Sequence, residues 1–331
     1  MINEKEIAIV GGSGFVGSFL SKILDKNKTS YHIYDLNLNI ENDNVTFADV
    51  TSLDTLESIK NTSVIINLAA EHRDDVSPTS KYDDVNVEGA RNICTVARKN
   101  NINKIIFTSS VAIYGFAPNN TDESGKPNYF NDYGRTKFLA EAIYKEWQEE
   151  DPLNRTLTII RPTVIFGPGN RGNIYNLLKQ IASKKFIMIG NGNNIKSIAY
   201  VENVAAFISH SMSFKPGINI YNYIDKPDFT MNQLVSNTRK VLFNKNNVGL
   251  RIPLFLGVMA GYFFDALALI LNKKLSISSI RIKKFSNSSQ FNTSISKSGF
   301  VPKIHADKAW ENTIKYEFLS NNSNSRTFDT E

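Results

Sequence analysis

Short apolar runs alternate with longer amphipathic stretches through the first two-thirds of the chain. EIAIV, YHIYD, VTFADV, SVIINLAA, KIIFTSS and LTIIRPTVIFG have the length and the β-branched, aromatic content of strands, and the segments after Phe15, Ser52, Tyr82, Tyr133 and Ile174 have the apolar spacing of helices. Strands that alternate with helices are joined by crossovers, which predicts an α/β fold with a parallel sheet covered on both faces. After about Pro168 the pattern loses its regularity, and turn-rich stretches such as GNGNN at 190–194 and KPDF at 226–229 break it up. A smaller second part is expected to begin there. The stretch SNNSNSRTFDTE is too polar to order itself and is expected to lie loose.

One run fits neither pattern. IPLFLGVMAGYFFDALALIL, at 252–271, carries one charge, Asp265, in twenty residues. As a membrane span, its eleven Leu, Ile, Val or Phe residues supply roughly −3 to −7 kcal/mol against about +3 kcal/mol for the carboxylate, with Pro253 and two glycines as further costs. The sum is marginal, and spanning would carry the basic residues Arg281 to Lys284 across the bilayer from the first two-thirds of the chain. Two readings stand. The run is a helix buried in the second part, or a monotopic patch in the membrane interface, where Arg251, Lys273, Lys274, Arg281, Lys283 and Lys284 would meet anionic headgroups.

The 331 residues, 41% of them hydrophobic, can bury a core as one large or two closely joined domains. A net charge of +6 suits phosphates, nucleic acid or an anionic membrane surface alike. MINEKEIAIV has no basic stretch followed by an apolar one, so a cytoplasmic location is expected. A single cysteine, Cys94, excludes an internal disulfide framework and reads as core, and four scattered histidines lack ligand spacing, so no structural metal is expected.

Chemistry begins where the first strand meets Gly11-Gly12-Ser13-Gly14-Phe15-Val16-Gly17, a G-x-x-G-x-x-G turn opening a helix. Glycines let the backbone turn tightly and approach a pyrophosphate, and the helix N-terminus offers unpaired N–H groups to its charge, as in a Rossmann-type doubly wound sheet. The second strand ends at Asp35, eighteen residues after Gly17, where a carboxylate accepts hydrogen bonds from the adenosine ribose and repels a 2′-phosphate. That favours NAD over NADP. Tyr133 and Lys137 are four apart, so on a helix they share a face and the ammonium can stand beside the phenol. Lowering a tyrosine from about 10 to about 7 takes roughly 4 kcal/mol, within reach of a lysine and a cationic nicotinamide acting together.

With Ser109-Ser110 ending a strand upstream, these motifs resemble the extended short-chain dehydrogenase/reductases, the nucleotide-sugar epimerases and dehydratases, over nearly the whole chain. The resemblance implies an NAD-binding Rossmann domain over 1–167, to which 197–224 returns, and a smaller C-terminal α/β domain over 168–331 that binds substrate. It implies that Ser110 holds the reacting sugar oxygen, that Tyr133 is the acid/base and that Lys137 is its electrostatic partner. Asp49 and Val50 correspond to the adenine-contacting pair, Asn67, Leu68, Ala69 and Ala70 to the loop along the cofactor, Asn86 to the helix asparagine behind the site, and Arg161, Pro162 and Thr163 to the strand end under the nicotinamide. Dehydratases of this family place an acidic pair just after the catalytic hydroxyl. This chain has Val111-Ala112-Ile113 there, which leaves 4-epimerisation as the simplest cycle.

In the segment that grips substrate pyrophosphate in this family, Lys196 and Asn203 replace an arginine and an aspartate. Lysine offers a point charge without the bidentate fork. Asn173, beside Arg171, and Arg281 are further candidates. The strings AEHRDDVSPTS, RPTVIFGPGNRGNIYNLLKQIA, AYVENV, YNYIDKPDF and SSIRIKKF resemble the bacterial 4-epimerases acting on N-acetylglucosamine linked through a diphosphate to undecaprenol. That resemblance implies interconversion of lipid-linked GlcNAc and GalNAc for O-antigen or related glycans. It further implies a peripheral place on the cytoplasmic face of the membrane, a homodimer through the helices near Tyr82 and Tyr133, no nucleic-acid partner, and His72, Arg73 and Asp74 near the acetamido sugar. A soluble UDP-GlcNAc or UDP-glucose 4-epimerase, a sterol-type dehydrogenase and a non-catalytic NAD sensor remain as rivals.

Overall fold

The computed structural model describes residues 6–38, 44–73, 76–271, 279–322 and 326–329. β1 (Glu6–Val10) leads into α1 (Phe15–Lys26), followed by β2 (Tyr31–Asp35), β3 (Val45–Phe47), the single turn α2 (Leu53–Leu56) and β4 (Thr62–Asn67). α3 (Ser80–Tyr82) passes through a widened turn over Asp83–Glu88 into α4 (Gly89–Lys99), then β5 (Lys104–Thr108). Next come α5 (Asp132–Glu149), β6 (Thr156–Pro162), β7 (Val164–Phe166), α6 (Asn173–Ala182), β8 (Met188–Ile189), β9 (Ile195–Tyr200), α7 (Val201–Ser211) and β10 (Gly217–Tyr223). The remaining elements are β11 (Asp225–Thr230), α8 (Met231–Phe243), β12 (Arg251–Ile252), α9 (Leu254–Leu271), α10 (Ser279–Ser286) and α11 (Ala306–Phe318).

The main sheet runs β10-β6-β5-β4-β1-β2-β3 and is parallel throughout. EIAIV is nearly all apolar because β1 lies inside the sheet, between β4 and β2, and buries both faces: Ala8 and Val10 pack with Ile93, Cys94 and Tyr144 on the side of α4 and α5, and Ile7 and Ile9 with Leu20, Leu24 and Phe207 on the side of α1 and α7. The chain leaves β1 toward β2 on one side and returns at β4 on the other. That reversal opens a crevice at the carboxyl ends of the strands, where ligands of such sheets bind.

LTIIRPTVIFG is two strands rather than one. Pro162 ends β6, the Thr163 N–H turns aside to donate to the Tyr223 carbonyl at 3.1 Å, and β7 joins the three-stranded sheet β11-β9-β7. VTFADV is a strand only to Phe47, because Asp49 accepts from the N–H and hydroxyl of Thr51 and turns the chain. Within 197–224, α7 and β10 lie on the main sheet, whereas β9 belongs to the small one. A separate core of Phe166, Leu178, Tyr200, Phe229, Leu234, Trp310 and Ile314 holds the later elements together.

The apolar run forms α9 on the rim, and the buried-helix reading does not hold. Phe255, Met259, Tyr262 and Phe263 are 54–65% exposed. Contact runs instead along a glycine edge, since a Cβ on Gly257 would stand 2.4 Å from the Ile189 side chain and one on Gly261 2.8 Å from the Ser279 Cα. Asp265, the run's one charge, accepts from the Ser279 N–H at 3.2 Å and so caps α10. None of the described helices is long and apolar enough to cross a membrane. The expectation of a loose polar stretch also fails at 326–329, where the Phe328 N–H donates to the Gly169 carbonyl and the Arg171 N–H to the Phe328 carbonyl, both at 2.9 Å.

Candidate active site

A cleft of about 840 Å³ lies along the carboxyl edge of the main sheet, in the size range of small-molecule sites. Its floor is the β1–α1 turn. Gly11 has φ +75°, and a Cβ there would stand 2.5 Å from the Ala69 nitrogen, so only glycine lets this turn lie against the Leu68-Ala69-Ala70 loop. Gly14, Phe15, Val16 and Gly17 continue the wall, α1 has no acidic residue in its first turn, and no side chain caps its N–H groups. Asp35 accepts from the Ser13 N–H at 2.9 Å and the Asn37 N–H at 2.9 Å, which fixes its carboxylate at the rim of the turn. Asp49, Val50, Leu68, Ala69 and Ala70 line the same end. The cradle therefore suits a dinucleotide: N–H groups and close backbone for the pyrophosphate, two carboxylates and an apolar wall for adenosine.

Ser110, Tyr133 and Lys137 meet at the other end. Ser110 follows β5 in extended backbone, and its Oγ accepts from the Ala112 N–H at 3.1 Å, which fixes the hydroxyl above the strand end. Asn131 caps α5 by accepting from the Gly134 N–H at 3.0 Å, so Tyr133 falls in the first turn with its phenol hydrogen-bonded to Ser110. One turn on, the Lys137 ammonium donates to the Thr108 carbonyl at 2.8 Å and lies 5.9 Å from the centre of the Tyr133 ring.

Burial pushes the Tyr133 phenol up to about 12, with the Ser110 hydrogen bond opposing, and brings the Lys137 amine down to about 7, with the Glu141 charge opposing. The lysine alone does not make a phenolate here. A cationic nicotinamide bound beside the pair would supply further positive charge.

Behind the pair lies a buried network that the sequence pattern did not reveal. Glu141, fully buried, accepts from Arg161 Nε at 2.8 Å and Nη2 at 2.6 Å and from the Ser109 hydroxyl at 2.6 Å, while Arg161 Nη1 donates to the Tyr114 oxygen at 2.6 Å. It ties the ends of β5 and β6 to α5 and so holds Ser110 and Tyr133 in register. The sequence signals were Glu141, one turn beyond Lys137, and Arg161 at the strand end, with nothing local to pair them. Asn86 works on the other flank, donating to Thr136 Oγ1 at 2.9 Å and exchanging two hydrogen bonds with the Glu71 backbone at 3.0 Å.

Among the residues expected near substrate, His72, Thr163 and Asn173 line the cleft, as does Pro162. Arg73 pairs instead with Glu71 at 3.4 Å, half exposed. Lys196 is outside the cleft lining, its ammonium donating to the Asn287 carbonyl at 2.7 Å, and burial lowers it to about 8. Arg281 lies in α10 with its side chain outside the described residues, as are Asp74, Lys273 and Lys274; the side chains of Lys283 and Lys284 are outside them too. Arg326, Thr327, Phe328 and Asp329 line the cleft without having been anticipated.

Residues 7–222 match the model of the NAD dependent epimerase/dehydratase family. The chain is 44% identical over 336 residues, covering 98% of itself and 99% of its counterpart, to the N-acetyl-alpha-D-glucosaminyl-diphospho-ditrans,octacis-undecaprenol 4-epimerase of Escherichia coli O157:H7. It is 32% identical, over 60% of itself and 62% of the other, to a decarboxylating sterol-4-alpha-carboxylate 3-dehydrogenase of Saccharomyces cerevisiae. Its fold matches the UDP-glucose 4-epimerase of Thermus thermophilus, solved with NAD, at a TM-score of 0.68 and 16% identity, over 96% of this chain and 99% of that one.

Proposed function

The chain belongs to the NAD-dependent epimerase/dehydratase family, and from that premise we infer that it is a 4-epimerase interconverting GlcNAc and GalNAc carried by a diphosphate on undecaprenol. The observation that carries this reading is the likeness to the E. coli enzyme over 98% of the chain, which takes in α9 as well as the cleft. The sterol dehydrogenase likeness stops at 60% of the chain.

In this reading the β1–α1 turn, Asp35, Asp49 and Val50 would hold NAD, which would supply the hydride acceptor and donor for the sugar's C4. Ser110 holds O4 by a hydrogen bond. Tyr133 accepts the O4 proton as the carbonyl forms and returns it as the carbonyl is reduced. Lys137 holds positive charge beside the phenol, and the Glu141–Arg161 network keeps the three aligned. Val111, Ala112 and Ile113 bring no carboxylate to the point where elimination of water would need one.

The substrate's tail stays in the bilayer, and α9 is the surface that meets it. Its outward aromatic face enters the interface, anionic headgroups lie against the basic residues around it, and the protein works as a peripheral protein at the cytoplasmic face. Residues from 168 onward supply most of the sugar-diphosphate site, with His72, Thr163 and Asn173 lining the cleft.

The test is to incubate the protein separately with GlcNAc-diphosphoryl-undecaprenol and with UDP-GlcNAc, release the sugar by mild acid and identify it. GalNAc is expected from the lipid-linked form at least tenfold faster. Faster turnover of UDP-GlcNAc, together with indifference to liposomes, would overturn the lipid assignment in favour of the soluble epimerase.

A further inference from the structure

The four residues 326–329 run back across the mouth of the glycine turn. Phe328 is clamped by its own N–H and carbonyl to Gly169 and Arg171, and its ring packs 5.6 Å from that of Phe15, the first residue of α1. Gly169 makes room for this, with φ +86° and a site where a Cβ would stand 3.1 Å from the Arg326 carbonyl. Glu317 holds the 169–171 loop from beneath, accepting from the Gly169 N–H at 2.6 Å and from Arg171 Nη1 at 2.8 Å. The strap is thus anchored at both its aromatic ring and its backbone.

That anchorage delivers a guanidinium to the turn. Arg326 Nη2 donates to the Ser13 carbonyl at 2.7 Å, its plane lies over the Phe328 ring at 4.9 Å, and among the described residues it forms no ion pair, although Asp329 lines the same cleft. Ser13 is the middle of the turn whose backbone and following helix N-terminus face the cleft with positive polarity. The two carboxylates Asp35 and Asp49 line the same cleft, on the side assigned to adenosine. We propose that Arg326 is a ligand of the cofactor's pyrophosphate, and that the strap 326–329 retains the dinucleotide between the two hydride transfers. The guanidinium fork matches phosphate oxygens, and its cation balances a charge that the N–H groups meet only in part. Retention matters because cofactor lost between the steps would leave a ketone that the cycle cannot reduce.

This assignment rests on NAD as cofactor and not on the identity of the sugar. The test compares nucleotide-free wild type and Arg326→Gln by calorimetry against NAD, ADP-ribose and adenosine. NAD and ADP-ribose are expected to bind about 10- to 100-fold more weakly to the variant, with adenosine affinity and the melting temperature of the free protein unchanged. Unchanged NAD affinity, or an equal loss for adenosine, would overturn it. If the variant does not fold, trypsin cleavage of the wild type after Arg326 decides: ADP-ribose should slow the cut at least tenfold and adenosine should not, whereas absence of protection by ADP-ribose refutes the assignment.

Discussion

The main sheet and α9 are both strongly apolar, yet one hides its side chains and the other displays them. Ile9, Ile65 and Ile106 are fully buried between helices on two faces, whereas Phe255, Met259 and Phe263 are 63–65% exposed on a helix that touches its neighbours through glycines. Hydrophobicity states only that a residue avoids water. What it avoids water against is decided by the partner, and for α9 the partner outside the fold is the bilayer of the proposed reading.

Three tests sharpen that contrast. The largest effect comes from the catalytic end of the sheet: Tyr133→Phe should lower turnover about 10²- to 10⁴-fold on both the lipid-linked sugar and a short-chain, water-soluble analogue, with NAD affinity unchanged in a binding titration. A variant keeping more than a tenth of wild-type activity would move the proton acceptor elsewhere.

The second sets an apolar deletion in one region against that in the other. Leu20→Ala, in the layer between α1 and the sheet, should cost about 2–5 kcal/mol in denaturant unfolding. Phe255, Met259 and Phe263 changed together to serine should leave unfolding nearly unaltered, within about 0.5 kcal/mol per site. That triple variant should instead leave liposomes containing anionic lipid and lose about tenfold or more of its activity on the polyprenyl substrate, with the soluble analogue still turned over. Equal loss on both substrates with a lower melting temperature would show α9 to be core after all.

The smallest effect concerns a charge kept inside. Burial lowers Lys137 to about 7 in the folded protein against about 10.4 in an unfolded chain, so between those pH values the unfolded chain binds more protons and this group makes stability rise with pH. Its full cost is present below pH 7. Lys137→Met should therefore raise the nucleotide-free protein's melting temperature at pH 7 or below by about 2 °C or more, and should flatten the rise toward pH 10. A melting temperature that falls at every pH would show the ammonium to be stabilising where it sits.

Local signals carried most of this molecule. The glycine turn, Asp35 at the end of β2, and the one-turn spacing of Tyr133 and Lys137 were legible because each depends on a few adjacent residues. The break at Thr163 was hidden because β6 and β7 are both apolar; what separates them is their distant partners, β10 for one and β9 for the other. Arg326 and Phe328 were read as part of a loose polar stretch because their partners, Ser13, Phe15 and Gly169, are far away in sequence. The Glu141–Arg161 network was missed for the same reason. Composition sees what a segment contains and is blind to what it can reach.

The Arg326–Ser13 hydrogen bond joins residues 313 positions apart, and that distance is also a time. At about 5–20 residues per second of synthesis, on the order of 15 to 60 s pass between the emergence of the glycine turn and that of the residue which closes it. Once β10 has emerged, the nascent sheet can meet the nucleotide pool for the rest of that interval and exchange with it freely. Under the proposed role of Arg326, firm retention of the cofactor is acquired late in synthesis, and a ribosome stalled in α11 would carry a folded sheet that still lets its nucleotide go.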